Sequence, residues 1–370
     1  YNNELTGTIP PQLGHMRSLS VLNLGNNHLS STLPPHIANI THLKVLDATH
    51  NNLEGPLPPE LMSHSQLSKL TLSGNKLTGA IPADHIHHLT QLSELTLAGN
   101  RLTGTIPSEM GNITRLMSLN LAGNVFEGPI PAELSQLEHL MHLDLHQNLL
   151  TGTLPLQLAD APVLSELTLS RNRIQGSIPT EYATLTLLGR LLLDTNLLTG
   201  TVPAWITDIR HLSFVDLSNN RLSGGLPDSL WDEEKQRVPY MAPSFHHVDP
   251  QPREINLGLN PFTCPLPSWA SHLHATCQWA EVFSVDPDSA PANQHTAIAV
   301  FGQGFPAGDG LQCIFGAKEV DWVVVAAEWV DTNEVHCIAP PTDAPKEVVV
   351  RVGMNHQPVT QFGEMFEYTG

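Results

Sequence analysis

The stretch Leu95-Thr-Leu-Ala-Gly-Asn100-Arg-Leu-Thr-Gly-Thr-Ile-Pro107 decides the fold. Leu95 and Leu97 alternate with Thr96, so the segment begins as a short strand with both leucines on one side. Asn100 stands where the chain leaves that strand, Gly104 follows four residues later, and Ile106-Pro107 closes the string. Outward in both directions the same string returns every 24 residues, with one 25-residue unit starting at Leu70. Leu-x-Leu pairs open at Leu22, Leu70, Leu95, Leu119, Leu143, Leu167 and Leu191, and softened copies open at Leu46 and Val215. A fixed period of this length marks a solenoid, in which each unit buries its apolar side against its neighbours.

The Asn of each unit forms a ladder: Asn27, Asn51, Asn75, Asn100, Asn124, Asn148, Asn172, Asn196 and Asn220, with Asn3 before it and Asn260 after a break. An amide side chain both donates and accepts, so each Asn is expected to satisfy backbone groups of its own turn and of the next unit. Gly and Pro set the turns of the return path. Stacked strands about 4.8 Å apart predict a parallel sheet on one face. The predicted fold class is an α/β-type solenoid with an irregular or 3-10 convex side.

The string Asn-x-Leu-x-Gly-x-Ile-Pro resembles the plant-type leucine-rich repeat of secreted and cell-surface proteins. The resemblance spans about residues 1–278. It implies a curved solenoid that binds partners and carries no catalytic site of its own. The array is stretched once: Val215 to Ile255 is 40 residues, which places an insertion at about 232–253. Residues 255–278, with Cys264 and Cys277, then resemble the C-terminal cap of such proteins.

From about residue 279 the leucines give way to Val-rich alternating runs, which predict a small all-β sandwich. The expected strands are 297–301, 311–315, 323–328, 335–338, 348–352 and 362–368. The landmarks Val285-Asp-Pro287, Phe301-Gly-x-Gly-Phe305, Cys313-Ile-Phe-Gly316, Cys337-x-Ala-Pro-Pro341 and Phe366-Glu-Tyr368 resemble an IPT/TIG immunoglobulin-like domain over about 279–370. In extracellular members the resemblance implies a disulfide at the positions of Cys313 and Cys337. Four cysteines allow three pairings. The near-neighbour set, Cys264–Cys277 and Cys313–Cys337, is preferred because each pair stays within one domain.

Charge narrows the function. Lys plus Arg number 17 against 36 Asp plus Glu, a net charge of −19, and the last domain alone is strongly acidic. Nucleic-acid binders need a basic face, so nucleic acid is excluded as a partner. No apolar run reaches the roughly 18 residues of a membrane helix, so membrane insertion within this chain is not expected. Paired cysteines indicate an oxidising compartment. The sequons Asn39-Ile-Thr41 and Asn112-Ile-Thr114, at the same phase of two units, agree with an extracellular or cell-surface glycoprotein.

No nucleophile motif, phosphate loop or C-x-x-C is present, so neither an enzyme nor a cofactor is expected. One metal candidate stands out. His142, Asp144 and His146 alternate along a strand, and Glu166 occupies the position of His142 in the next unit. The residues beside the strand leucines are small and polar, with Phe214 the main aromatic, which gives that face few anchors for tight binding. The expected function is recognition or adhesion, binding other extracellular proteins or glycans through both modules. The alternative is a structural subunit that self-associates head-to-tail into a fibre or sheath.

Overall fold

The computed structural model describes residues 1–230, 254–263 and, with short breaks, the remainder up to 369. The chain divides into two compact units, Tyr1–Arg221 with Pro227–Leu257, and Leu222–Leu226 with Gly258–Gly370. The division falls after Leu257, within the stretch 255–278 expected as a cap, much of which lies outside the described residues.

In the first unit, ten strands among the described residues form one parallel sheet in strict chain order, from Val21–Asn23 to Glu254–Asn256. Register advances one repeat per strand, as in Ser118↔His142, Leu119↔Leu143 and Asn120↔Asp144. Each strand is only about three residues long. The first leucine of a pair lies within it and the second just after it, and both are buried, as Leu119 and Leu121 show. Phe214–Asp216 lies directly beside Glu254–Asn256, with Val215 opposite Ile255. The ladder therefore closes across the long unit, while the expected insertion at 232–253 lies outside the described residues.

The return path runs through single turns of 3-10 helix such as Ser108–Asn112 and Ala132–Gln136, with short α-turns at Pro59–Met62 and Ala83–Ile86. A Pro stands before each, as Pro107 does at φ −66°, because its fixed φ suits the entry to a helical turn. Their inward residues, Met110 and Leu134 among them, close the core against the leucines.

A second parallel sheet of seven strands runs from Thr6–Thr8 to Leu149–Leu150. The repeat pattern did not announce it. Its strands come from the Leu-Thr-Gly part of each unit, too short for an alternation signal. Gly104, within the strand Arg101–Thr105, adopts φ +80°, a conformation open to glycine at little steric cost.

The second unit holds a β-sandwich. Leu311–Phe315 forms as expected, most of the other expected strands appear with extended bounds, such as Val323–Asp331 and Lys346–Met354, and the last, expected at 362–368, is the shorter Glu364–Thr369. Glu281–Asp286 and Ser289–Pro291 are additional. Residues 323–326 pair with Leu311–Phe315, whereas residues 327–331 pair with Glu334–Ala339, so one strand serves both sheets. Cys313 and Cys337 sit in the core between them and are joined by a disulfide, Cα–Cα 6.3 Å. Phe366 meets Phe315 and Tyr368 edge-on at 6.2 and 5.1 Å between centroids, a favoured aromatic geometry. The Tyr368 hydroxyl donates to the Pro340 carbonyl at 2.7 Å, and burial pushes its phenol up to about 12. Phe262–Thr263 pairs in parallel with Cys277–Gln278. Cys264 itself lies outside the described residues, and with it the expected Cys264–Cys277 bond.

Candidate functional site

The Asn ladder is built as its chemistry demands. Asn100 Nδ2 donates to the carbonyls of Leu97 and Ala98 in its own turn, at 2.9 and 3.3 Å, and to Leu72 in the preceding unit at 3.0 Å. Its Oδ1 accepts from the Leu77 amide at 3.0 Å. The set repeats through Asn220, and each Asn is buried. Asn260 continues it by accepting from the Leu222 amide at 3.0 Å. These residues are structural.

The open face of the ten-stranded sheet carries coupled charges. Glu94 pairs with Lys69 at 2.8 Å, and Glu166 pairs with Arg190 at 3.2 Å. The Arg190 guanidinium lies 5.1 Å from the Phe214 ring centroid, within cation–π range. Acids at the strand ends turn back on the chain. Asp47 accepts from the Thr49 amide and hydroxyl at 3.0 and 2.6 Å. Burial alone would raise its pKa, but the Thr49 hydroxyl and amide, with Lys69 beside them, outweigh burial and hold the carboxyl below its usual value. Asp216 does the same with Ser218, and Ser170 donates to Asp194.

The metal candidate is corrected by this geometry. The strand ends at Asp144, so His146 falls in the turn beyond it. There His146 Nδ1 meets Asp144 Oδ1 at 2.7 Å, whereas His142 stands 3.5 Å from Glu166, which is already held by Arg190. The four residues form two separate couples. Among the described residues no three His, Cys, Asp or Glu converge as a ligand set.

The glycosylation candidates fall together. Asn39 and Asn112 are each the last residue of a 3-10 turn, Pro35–Asn39 and Ser108–Asn112, and both are exposed.

Sequence reading missed a groove along one edge of the ten-stranded sheet, where each return path enters its strand. One part has a volume of about 750 Å³ and is lined by Lys44, Gln66, Gln91 and Arg115. The next, about 450 Å³, is lined by Met141, Val163, Leu187 and His211, with Met117 and His139 common to both. These residues sit before the Leu-x-Leu pair, outside the alternating positions that mark the strand face. The signal available was two sequence columns without acids.

Comparison with known proteins agrees with the fold. Residues 65–126 match the leucine rich repeat, as do 18–40, 42–64 and 211–232, and residues 280–368 match the IPT/TIG domain. The chain is therefore a leucine-rich-repeat solenoid followed by an IPT/TIG immunoglobulin-like domain. Both are families of non-enzymatic binding modules. Among solved structures, it is similar to the Arabidopsis receptor kinase HAESA, crystallised with the peptide hormone IDA and the co-receptor SERK1. There the identity is 30% and the TM-score 0.65, over 74% of this chain and 44% of that one. A plant peptide hormone receptor, RGFR1 in complex with RGF2, gives 28% identity and a TM-score of 0.56 over 74% and 49%. A plant ice-binding protein gives 25% and 0.55 over 67% and 74%. The chain thus spans less than half the length of these two receptor chains. No curated protein matches it as a relative.

Proposed function

We propose that this chain is an extracellular recognition protein that binds polypeptide partners through its solenoid, with the immunoglobulin-like domain as a second adhesive module. The observation that carries this reading is the groove that runs unit after unit along the sheet edge, beside a strand face whose carboxylates are engaged in couples and turns. Such a surface offers many weak contacts over a long rigid frame, which suits recognition better than chemistry. The core disulfide Cys313–Cys337 and the exposed sequons support an oxidising, secretory setting. The receptor ectodomains of the same fold, crystallised with peptide hormones, support a peptide or protein as the partner class.

The test is expression in a eukaryotic secretory host, followed by cross-linking capture on extracellular protein extracts. Export with Cys313 and Cys337 oxidised, and recovery of a defined polypeptide, is the expected result. A chain kept inside the cell with both thiols free, or one that captures no polypeptide above an unrelated acidic control, would overturn the reading.

A further inference from the structure

Two sequence columns form the edge groove. One lines it from Gln66 to His211 and the other from Lys44 to Ser165, and in sequence the columns begin at Ser18 and Ser20. No Asp or Glu stands in either column, although the chain carries 36. The acids flanking them are Glu94, Glu138 and Glu166. Glu94 and Glu166 are neutralised by Lys69 and Arg190, at 2.8 and 3.2 Å, and Glu138 is exposed. Lys44 and Arg115 are exposed within the groove, and Arg115 gives one hydrogen bond, to the neutral Gln91. Lys44 and Arg115 against Glu138 thus leave a small local excess of positive charge along the groove of a protein of net charge −19.

The groove changes character along its length. Beyond Arg115 come Met117, Met141 and Leu187, which are 46%, 42% and 45% exposed, with the half-buried Val163 between them. Apolar side chains held open on neighbouring units mark a contact surface. The floor supplies little hydrogen bonding. The Met141 carbonyl already accepts from the Ser165 and Glu166 amides and from the Ser165 hydroxyl, and Lys44, Ser68 and Gly189 carbonyls are engaged likewise. A ligand here is read by side chains, not by added strand pairing.

Resting on the recognition role above, we infer that this groove takes an extended polypeptide segment, acidic at one end and apolar at the other. Its carboxylates meet Lys44 and Arg115, and its aliphatic or aromatic side chains lie on Met117, Met141, Val163 and Leu187. From Lys44 to Leu187 is six units, about 29 Å at one strand spacing per unit, which an extended segment covers in roughly nine residues. An anionic polysaccharide would satisfy the cationic half, but in the other half the aliphatic side chains of Met117, Met141, Val163 and Leu187 outnumber the polar groups of His139, Ser165 and His211.

The test uses the full chain and fluorescein-labelled nine-residue peptides read by anisotropy. One peptide has three Glu at its amino end and three Leu or Phe at the other; a second reverses that order. Control peptides replace Glu by Lys, or the apolar residues by Ser. The expected result is binding of one acidic–apolar peptide that weakens at least tenfold in Lys44→Glu/Arg115→Glu and in Met141→Ser/Leu187→Ser, and that weakens with salt. The same charge reversal at the exposed Arg101 and Arg173 should change affinity less than twofold. The inference falls if no peptide binds, if reversal at Arg101 and Arg173 weakens binding equally, or if oligogalacturonate binds and loses affinity only in the charge variant. A chain that captures an extracellular polypeptide with the groove variants unimpaired would sink this inference and leave the recognition role standing.

Discussion

The amide of Leu102 donates at 3.0 Å to Oδ1 of Asn124, so a backbone group of one unit is satisfied by a side chain of the next. Asn124 Nδ2 simultaneously donates to the Leu97, Leu121 and Ala122 carbonyls at 3.1, 3.0 and 3.2 Å. One buried side chain thus serves four backbone groups. Replacing Asn124 by Ala leaves buried groups unpaired on both sides, a loss of about 2–3 kcal/mol. Asn124→Asp, which cannot donate from its carboxylate, should be at least as harmful. Chemical denaturation of the solenoid transition checks both.

Gln147 adopts φ +55°, where neighbouring units place Gly99 and Gly123 at φ +63° and +61°. A side chain in the left-handed region costs about 1–2 kcal/mol, partly offset by the extra backbone freedom glycine has when unfolded. Gln147→Gly should therefore stabilise the solenoid by up to about 1 kcal/mol. Gly99→Ala should destabilise it through φ, since an added Cβ meets only ordinary contact, 3.5 Å from the Gly74 amide nitrogen. Thermal melts of the two variants should move in opposite directions.

Cys313 and Cys337 close a loop with a sequence separation of 24, worth about 3 kcal/mol by loop entropy. Reduction should lower the melting temperature of the sandwich and leave the solenoid transition in place. Calorimetry with and without a phosphine reductant measures it; a single transition shifting as a whole would contradict it.

Asp47 contributes to stability as an anion, because its folded pKa lies below the ordinary 3.8. That contribution is complete above the unfolded pKa and disappears as pH falls through the lower folded value. Asp47→Asn should therefore cost stability at pH 7 and cost progressively less below pH 4. Parallel urea titrations at both pH values test the sign.

Asn39 and Asn112 should carry N-glycans after secretion, and Cys264 should be bonded to Cys277. Intact mass before and after deglycosylation, with non-reducing peptide mapping, checks both; an unchanged mass or a free thiol at Cys264 refutes the respective expectation.

The repeating core was legible because a period of 24 residues repeats the same burial demand many times, so one unit read correctly reads them all. The Asn role followed from amide chemistry, and Cys313 and Cys337 from their order among the sandwich landmarks. The second parallel sheet was not legible: Leu102-Thr103-Gly104 pairs through its backbone and leaves no alternation. The His142, Asp144, His146 and Glu166 set looked convergent because sequence columns show shared faces but not competing partners. Arg190 and the turn at His146 claimed those groups first. The edge groove escaped notice because its defining property was an absence, carboxylates missing from two columns of an acidic chain.

The unit that starts at Leu70 is one residue longer than its fellows, yet Leu70 faces Leu95 and Thr78 faces Arg101 without slippage. Its surplus is absorbed between the two sheets, on the arc where Ala83–Ile86 winds as an α-turn instead of a 3-10 turn. Neither sheet polices that arc. Insertions and deletions in the descent of such a chain should accumulate there, while the stretches on either side change length only by gaining or losing a whole repeat.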